Sequence, residues 1–382
     1  MIADHLLGRV LRAVIRTGTL EVIDAVGRRQ TFGDGGSPRV AVRFADAGAV
    51  RELIRDPELK LGELYMDGRL LIEAGSLDDL LRLCLETTGG DRALMPGRAL
   101  AVLRRAFRRL AASNPVSKAR RNVAHHYDLD GRLYDLFLDA DHQYSCAYFE
   151  TPDASLEEAQ LAKKRHVAAK LMIEPGMSVL DIGCGWGGML LYLATFAGAG
   201  PMRGITLSEE QLATARRRAT ARGVDPDTFA LEDFRQTTGR FDRIVSVGMF
   251  EHVGASSYDA YFEACARLLA EDGVMLLHTI GRTGVPDFTN PWITKYIFPG
   301  GHLPTLSEIL PAIERSGLAV ADIEILRLHY AETLKAGARA SWPPGTRPRR
   351  STTNASAGCG NSTSPSPRRP SATRTWWCSR SS

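Results

Sequence analysis

A short apolar run, Met177-Ser178-Val179-Leu180-Asp181-Ile182, leads into Gly183-Cys184-Gly185-Trp186-Gly187-Gly188 and then a second apolar stretch from Met189 to Phe196. A glycine-rich turn between a strand and a helix lets a ligand approach the main chain closely and meet free backbone N–H groups. Three ligand chemistries use such a turn: a nucleotide phosphate, a dinucleotide, or S-adenosylmethionine. A phosphate-binding P-loop ends in Gly-Lys-Ser/Thr, and this turn ends in Gly-Gly-Met, which removes the first. Gly183, Gly185 and Gly188 match G-x-G-x-x-G, yet Ile205-Thr206-Leu207 at the end of the next strand offers no acid for a ribose, so that signal is weak. Asp181, two residues before the first glycine, favours S-adenosylmethionine, because such an acid commonly anchors the methionine end.

The elements around this turn follow an α/β pattern. Met202 to Ile205, Phe241 to Val247 and Val274 to Thr279 read as strands, and Tyr258 to Leu269 as a helix between two of them. Strands alternating with helices imply a parallel sheet covered on both faces, with ligands beyond the carboxyl ends of the strands. Upstream, Thr19-Leu20-Glu21-Val22-Ile23-Asp24 and Val40 to Phe44 alternate like half-buried strands, and Leu77 to Leu85 reads as a helix capped by Ser76. A small α+β domain over 1–115 is expected, ending in a basic amphipathic helix (Ala101 to Leu110) and a linker at Ser113-Asn114-Pro115. The helix carries Arg104, Arg105, Arg108 and Arg109 on one face, suited either to an anionic membrane surface or to solvent.

The chain has 382 residues and a formal charge of +4, but the charge is unevenly spread. Its last 46 residues hold eight Arg and no Lys, Asp or Glu, while the rest hold 40 basic and 44 acidic residues. The body is therefore mildly acidic, and no nucleic-acid partner is expected. Residues 337–382 also lack Leu, Ile, Val, Met, Phe and Tyr, too little apolar surface to offset the entropy of ordering. They read as a disordered tail, and more sharply as an out-of-frame one beginning after about Ala336. Trp376-Trp377-Cys378 shifted by one base, and continued to the end, can encode Leu-Val-Val-Phe-Gln-Ile-Gln-Leu, which looks like folded protein. The six cysteines form no C-x-x-C pair, and His125, His126 and His252 have no further ligands at metal-binding spacing, so no metal is expected. Without a membrane-length apolar run or a signal-like N-terminus, a cytoplasmic protein is expected.

Several blocks together resemble the cyclopropane-fatty-acyl-phospholipid synthase family, and also the mycolic acid cyclopropane synthases. They are Leu180 to Gly188, His126-Tyr127-Asp128-Leu129, Tyr144-Ser145-Cys146-Ala147-Tyr148-Phe149, Gly204 to Ser208, Gly248-Met249-Phe250-Glu251-His252-Val253-Gly254 and Leu277-His278-Thr279-Ile280-Gly281. They run in the family's order through 116–336, with a looser match at Leu61 to Gly68. The resemblance implies a class I S-adenosylmethionine-dependent methyltransferase (Rossmann-like) fold over 116–336. It implies transfer of a methylene to the cis double bond of an unsaturated phospholipid chain, through a carbocation deprotonated by bound bicarbonate. Such a cation needs a dry site with fixed negative charge and aromatic faces.

By the same resemblance, Cys146 and Ile280 hold bicarbonate through backbone groups, and Glu251, His278 and Tyr330 complete its cage. Tyr144 and Ser145 cover the cofactor's methionine end. With Asp181, Gly183, Gly185 and Gly187 around the turn, Thr206, Leu207, Ser208 and Gln211 lie at the ribose, and Glu232 and Asp233 face the adenine. Trp292 and Tyr296 to Gly301 suit an acyl-chain tunnel or ordinary core. The implied partner is membrane phospholipid, with peripheral contact at the inner face and a homodimer as one quaternary expectation. Methylation without ring closure, methylation of a small oxygen or nitrogen nucleophile, and an inactive binding protein missing its C-terminal helices are the alternatives.

Overall fold

The computed structural model describes residues 2–86, 131–198, 200–341 and the backbone of 372–380. The basic helix at 101–110, the linker, the 115/116 boundary, His125, His126 and the His126–Leu129 block lie outside the described residues. The remainder divides into two units.

The first unit contains 2–86 and Asn290–Ile297. Helix α1 (Ile2–Val14) precedes strands β1 (Thr19–Ile23), β2 (Arg29–Gly33) and β3 (Arg39–Phe44), helices α2 (Ala47–Arg55) and α3 (Pro57–Met66), strand β4 (Leu70–Ala74) and helix α4 (Leu77–Glu86). The strands form one sheet in the order β2-β1-β3-β4. Alternation in β1 and β3 buries Leu20, Val22, Val40, Val42 and Phe44 against Leu64, Leu80 and Leu83 from the helices. Ser76 caps α4 as its position suggests, accepting from Asp79 N at 3.1 Å.

In the second unit α5 (Gly131–Asp135) and α6 (Leu156–Lys170) precede the sheet, and α6 opens on a Ser155/Glu158 capping box. Then follow β5 (Val179–Ile182), α7 (Gly188–Phe196), β6 (Met202–Thr206), α8 (Glu209–Ala221), β7 (Phe229–Leu231), β8 (Phe241–Val247), α9 (Tyr258–Leu268) and β9 (Leu269–Gly281). After α10 (Pro291–Tyr296), which belongs to the first unit, come α11 (Leu306–Arg315), β10 (Leu318–Leu326), α12 (His329–Ser341) and β11 (Ala372–Arg380). The seven strands are ordered β10-β11-β9-β8-β5-β6-β7, with β5 to β9 parallel and β11 antiparallel to both neighbours. Strand order reverses at β5, which puts a crevice at its carboxyl end. All four β5 residues are buried because helices cover both faces. Val179 packs with Val245, Leu276 and Val167 of α6 on one face, while Leu180 and Ile182 join Ile244, Met275 and Leu277 on the other. Period two therefore puts Asp181 and His278 on the α6 face, each at the end of its strand.

One expectation needs correction. Residues 337–341 finish helix α12, and 372–380 form a strand between β9 and β10, with Trp376 opposite both Leu277 and Ile323. An interior slot in a sheet supplies backbone partners on both sides, and those hydrogen bonds do not depend on side-chain composition. Trp292 and Tyr296, for which a tunnel wall and ordinary core were both open, pack against α3. Trp292 is buried, with its ring nitrogen where a Cβ on Gly62 would be, at 2.3 Å. Glu63 Oε1 accepts from Lys295 Nζ at 2.6 Å and Tyr296 OH at 2.9 Å, and these donors with Lys60 outweigh burial to hold Glu63 down at about 2.

Candidate active site

The turn after β5 opens a cleft of about 1130 Å³, open mouth included, the size of a small-molecule site. Of the residues named for the cofactor, Tyr144, Ser145, Asp181, Gly183, Gly185, Thr206, Leu207, Gln211, Glu232 and Asp233 line it. Gly183 and Gly185 have φ of 81° and 55°, a region that other residues enter only at a cost. A Cβ on Gly183 would also stand 2.5 Å from Met249 Cγ. Gly183→Ala should therefore weaken S-adenosylhomocysteine binding by about tenfold or more, measured by calorimetry; unchanged affinity would remove the turn from the site.

Gly187 and Ser208 are absent from the cleft lining, and each has a structural task. Gly187 is the left-handed N-cap of α7, and Ser208 caps α8 by accepting from Gln211 N at 3.2 Å. Gln211 Oε1 accepts from Thr206 Oγ1 at 2.8 Å, which leaves its amide N–H groups for a ribose hydroxyl. Glu232 and Asp233 reach the cleft already paired, to Arg203 and to a two-pronged Arg235. Asp181 is buried, Oδ2 has no protein partner, and burial pushes its carboxyl up to about 7. An orphaned, buried acceptor at the lip of a glycine turn fits a cationic amino-acid end, so S-adenosylmethionine suits this cleft.

Beside the cleft, the 3₁₀ turn Phe250–His252 carries Glu251, and the end of β9 carries His278 and Ile280. Glu251 Oε1 accepts from Ile280 N at 2.6 Å, while Oε2 is buried without a partner. Ile280 was expected to offer its backbone to an anion; its N–H is spent on Glu251, so it shapes the cage by aiming that carboxylate. Both ring nitrogens of His278 are buried and unpartnered. Burial moves His278 down to about 3 and Glu251 up to about 7. His278 is thus neutral near pH 7, with one nitrogen to donate and one to accept. Tyr330, in the first turn of α12, has its phenol pKa raised by burial and then by Tyr144, Cys146 and Glu251, which places these groups together. Buried polar groups without partners mark where a small polar ligand belongs. A hydrogen-bonding oxyanion such as bicarbonate fits the donors and acceptors present. Among the described residues, no three His, Cys, Asp or Glu side chains gather in a way that could hold a metal ion.

Sequence reading missed the parts that hold this arrangement. Phe149 N donates to His329 Nδ1 at 2.9 Å and Ala147 N to Thr333 Oγ1 at 2.9 Å, so α12 grips the segment just after Cys146 and brings Tyr330 with it. The His329 bond needs a neutral ring, and burial lowers that pKa. A depressed histidine contributes stability that is fully present above its unfolded pKa of about 6.5 and lost as pH falls through the folded value. Thr333→Val should leave a buried N–H unpaired and cost about 1–3 kcal/mol, and His329→Gln should flatten the acid limb of the melting curve; both are read by calorimetric unfolding. Tyr134 adds aromatic faces 5.5 Å from Tyr144 and 5.1 Å from Trp186, with Phe298 6.2 Å beyond Tyr144. No short motif marks Tyr134.

A doubly wound sheet, a glycine turn at its switch point and a buried acid before that turn define a class I S-adenosylmethionine-dependent methyltransferase. Residues 115–341 match the family of mycolic acid cyclopropane synthetases, and residues 14–90 match a domain family of unknown function. The chain is 41% identical over 281 residues to the cyclopropane-fatty-acyl-phospholipid synthase of Escherichia coli (strain K12), covering 73% of this chain and 71% of that one. It is 36% identical over 315 residues to a probable fatty acid methyltransferase of Pseudomonas putida, covering 79% and 76%. The crystal structure of mycolic acid cyclopropane synthase CmaA1 with SAH and CTAB aligns at a TM-score of 0.59 and 32% identity, over 70% of this chain and 99% of that one. The chain belongs to the mycolic acid cyclopropane synthetase family.

Proposed function

We propose that this protein transfers a methylene unit from S-adenosylmethionine to the cis double bond of an unsaturated phospholipid acyl chain, forming a cyclopropane fatty acid. The observation that carries the reading is the group of buried, unpartnered polar atoms, Glu251 Oε2 and both His278 nitrogens, next to the cofactor cleft. A methyltransferase for an oxygen or nitrogen nucleophile has no need of such a cage. When bound, S-adenosylmethionine supplies an electrophilic sulfonium methyl and bicarbonate a base for the proton that the transferred carbon loses.

The residues have separable tasks. Asp181 and Ser145 take the cofactor's amino-acid end, and Gln211 the ribose. Glu251, His278 and Tyr330 hold the anion, with Cys146 beside them. Tyr144 and Phe298 offer ring faces to positive charge developing on the acyl chain and help to keep water out. The acyl chain gains one CH2 and the medium one proton. Because the substrate is a membrane lipid, we place the protein at the cytoplasmic face in peripheral contact. No helix among the described residues is long and apolar enough to cross a membrane.

The test incubates the protein with vesicles of unsaturated phospholipid, S-adenosylmethionine and bicarbonate. Mass spectrometry should show acyl chains heavier by one CH2, dependent on all three additions, and proton NMR should show the shielded ring protons of a cyclopropane. The resemblance to a fatty acid methyltransferase favours a second reading, a branched or methylene-bearing chain, which the same spectra distinguish. No lipid product from protein that still binds S-adenosylhomocysteine would exclude both.

A further inference from the structure

Helix α6 holds the 143–145 segment through its buried face. Gln160 Nε2 donates to the carbonyls of Gln143 and Ser145, both at 3.0 Å. Lys163 Nζ donates to Gln143 Oε1 at 2.8 Å and to Ser145 Oγ at 2.7 Å. Lys163 is 2% exposed and lies within electrostatic reach of Asp139, Cys146 and Asp181. It belongs to neither the glycine turn nor the anion cage, and a buried lysine spent on two neutral side chains is costly to keep.

Its use follows from the direction of its bonds. Burial lowers Lys163 to about 7 against the pull of Asp139 and Asp181; in its ammonium form it has three donors and no acceptor, so the contact with Ser145 then runs one way. A serine hydroxyl has one proton and two lone pairs. With a lone pair of Ser145 Oγ engaged by Lys163, the hydroxyl proton turns elsewhere, and no hydrogen bond donated by Ser145 Oγ is found among the described residues. Ser145 lines the cofactor cleft, so the remaining direction is toward a ligand. We infer that Lys163 is a positioning residue for the methyl donor: by donating to Ser145 Oγ it aims that hydroxyl's proton into the cleft, at the carboxylate of the cofactor's amino-acid end. Asp181, with its free Oδ2, is then left for the ammonium of the same end, and the two charges of the amino acid are told apart. The inference rests on the reading that the cleft takes S-adenosylmethionine.

A lysine that only braced the segment would act on every ligand of the cleft alike. The test therefore compares S-adenosylhomocysteine with 5′-methylthioadenosine, which lacks the amino-acid end. Both are titrated by calorimetry into the wild type, Lys163→Met, Ser145→Ala and the double variant. Each single substitution should weaken S-adenosylhomocysteine about tenfold, the double should be no weaker than the poorer single, and methylthioadenosine should bind all four within about twofold. Equal losses for the two ligands, or losses that add in the double variant, would overturn the inference. If Lys163→Met does not melt cooperatively, Ser145→Ala decides alone: it must lose S-adenosylhomocysteine and spare methylthioadenosine. A wild type that binds neither ligand would sink the cofactor reading itself, and this inference with it.

Discussion

Glu251→Gln should lower turnover by roughly 10²–10³-fold while making the ligand-free protein more stable near neutral and alkaline pH. Both effects come from one buried oxygen. Glutamine keeps the oxygen that accepts from Ile280 N, so the turn after β8 and the end of β9 stay joined. It replaces Oε2, which has no protein partner, with an N–H2 group that cannot accept from a bound oxyanion. For stability the sign is that of a carboxyl raised by burial to about 7. Its contribution is fully present below the unfolded pKa of about 4.3 and is lost as pH rises through the folded value. Charging it costs on the order of 2–4 kcal/mol above that value. The substitution removes this cost, at the expense of an unpaired amide, leaving a net gain of about 1–2 kcal/mol, or roughly 2–6 °C in Tm near pH 8. Near pH 5 the gain should vanish. Melting curves at the two pH values and the lipid assay settle it together; activity within tenfold of wild type would place Glu251 outside the chemistry.

The second large effect concerns β11. Removing residues 342–382 should abolish cooperative unfolding of the second unit. The strand pairs with β9 from Val274 to Gly281 and with β10 from Leu318 to Leu326, so its loss opens two ladders at once. One of them borders His278 and Ile280. Yet the residues in this interior slot, Thr375-Trp376-Trp377-Cys378-Ser379-Arg380, are poor material for it. Strands of a sheet covered on both faces are mostly runs of Val, Ile and Leu. Replacing 375–382 by the shifted reading, Leu-Val-Val-Phe-Gln-Ile-Gln-Leu, should raise Tm by roughly 5–10 °C and raise methylene transfer with it. Differential scanning calorimetry of the three chains tests this. A truncated chain that melts as sharply as the full one would show the slot to be dispensable, and a replacement that lowers Tm would contradict the out-of-frame reading.

Much of the second unit was legible because its signals are local. Phe241 to Val247 is a strand as read, Met189 to Phe196 lies within α7, and the turn declares itself by glycines that only a tight backbone requires. Glu251 and His278 lie in short motifs: His278 is on β9, where a period of two decides which face it reaches, and Glu251 is in the turn that follows β8. What escaped depends on pairs distant in sequence. Lys163 and Thr333 sit on helices whose patterns mark them as ordinary, and nothing local tells that one reaches Ser145 and the other Ala147. Gly187 and Ser208 were legible as special residues, but spacing could not separate capping a helix from touching a ligand. Residues 372–380 did not read as a strand because composition reports the burial a segment can provide, whereas backbone pairing on both sides makes a place for them.

The chain leaves its catalytic unit after β9, spends Asn290–Ile297 on the first unit, and returns for α11. In genetic terms the first unit is not a single cassette. An exchange that imported residues 1–115 into a stand-alone methyltransferase would bring Gly62 and Glu63 without the Trp292, Lys295 and Tyr296 that meet them. The eight residues must change in step, inside a stretch of gene otherwise devoted to the other unit. A grafted or swapped N-terminal half therefore needs two crossovers to be whole, and a library that shuffles only at the linker will return halves with an unfilled seat on α3.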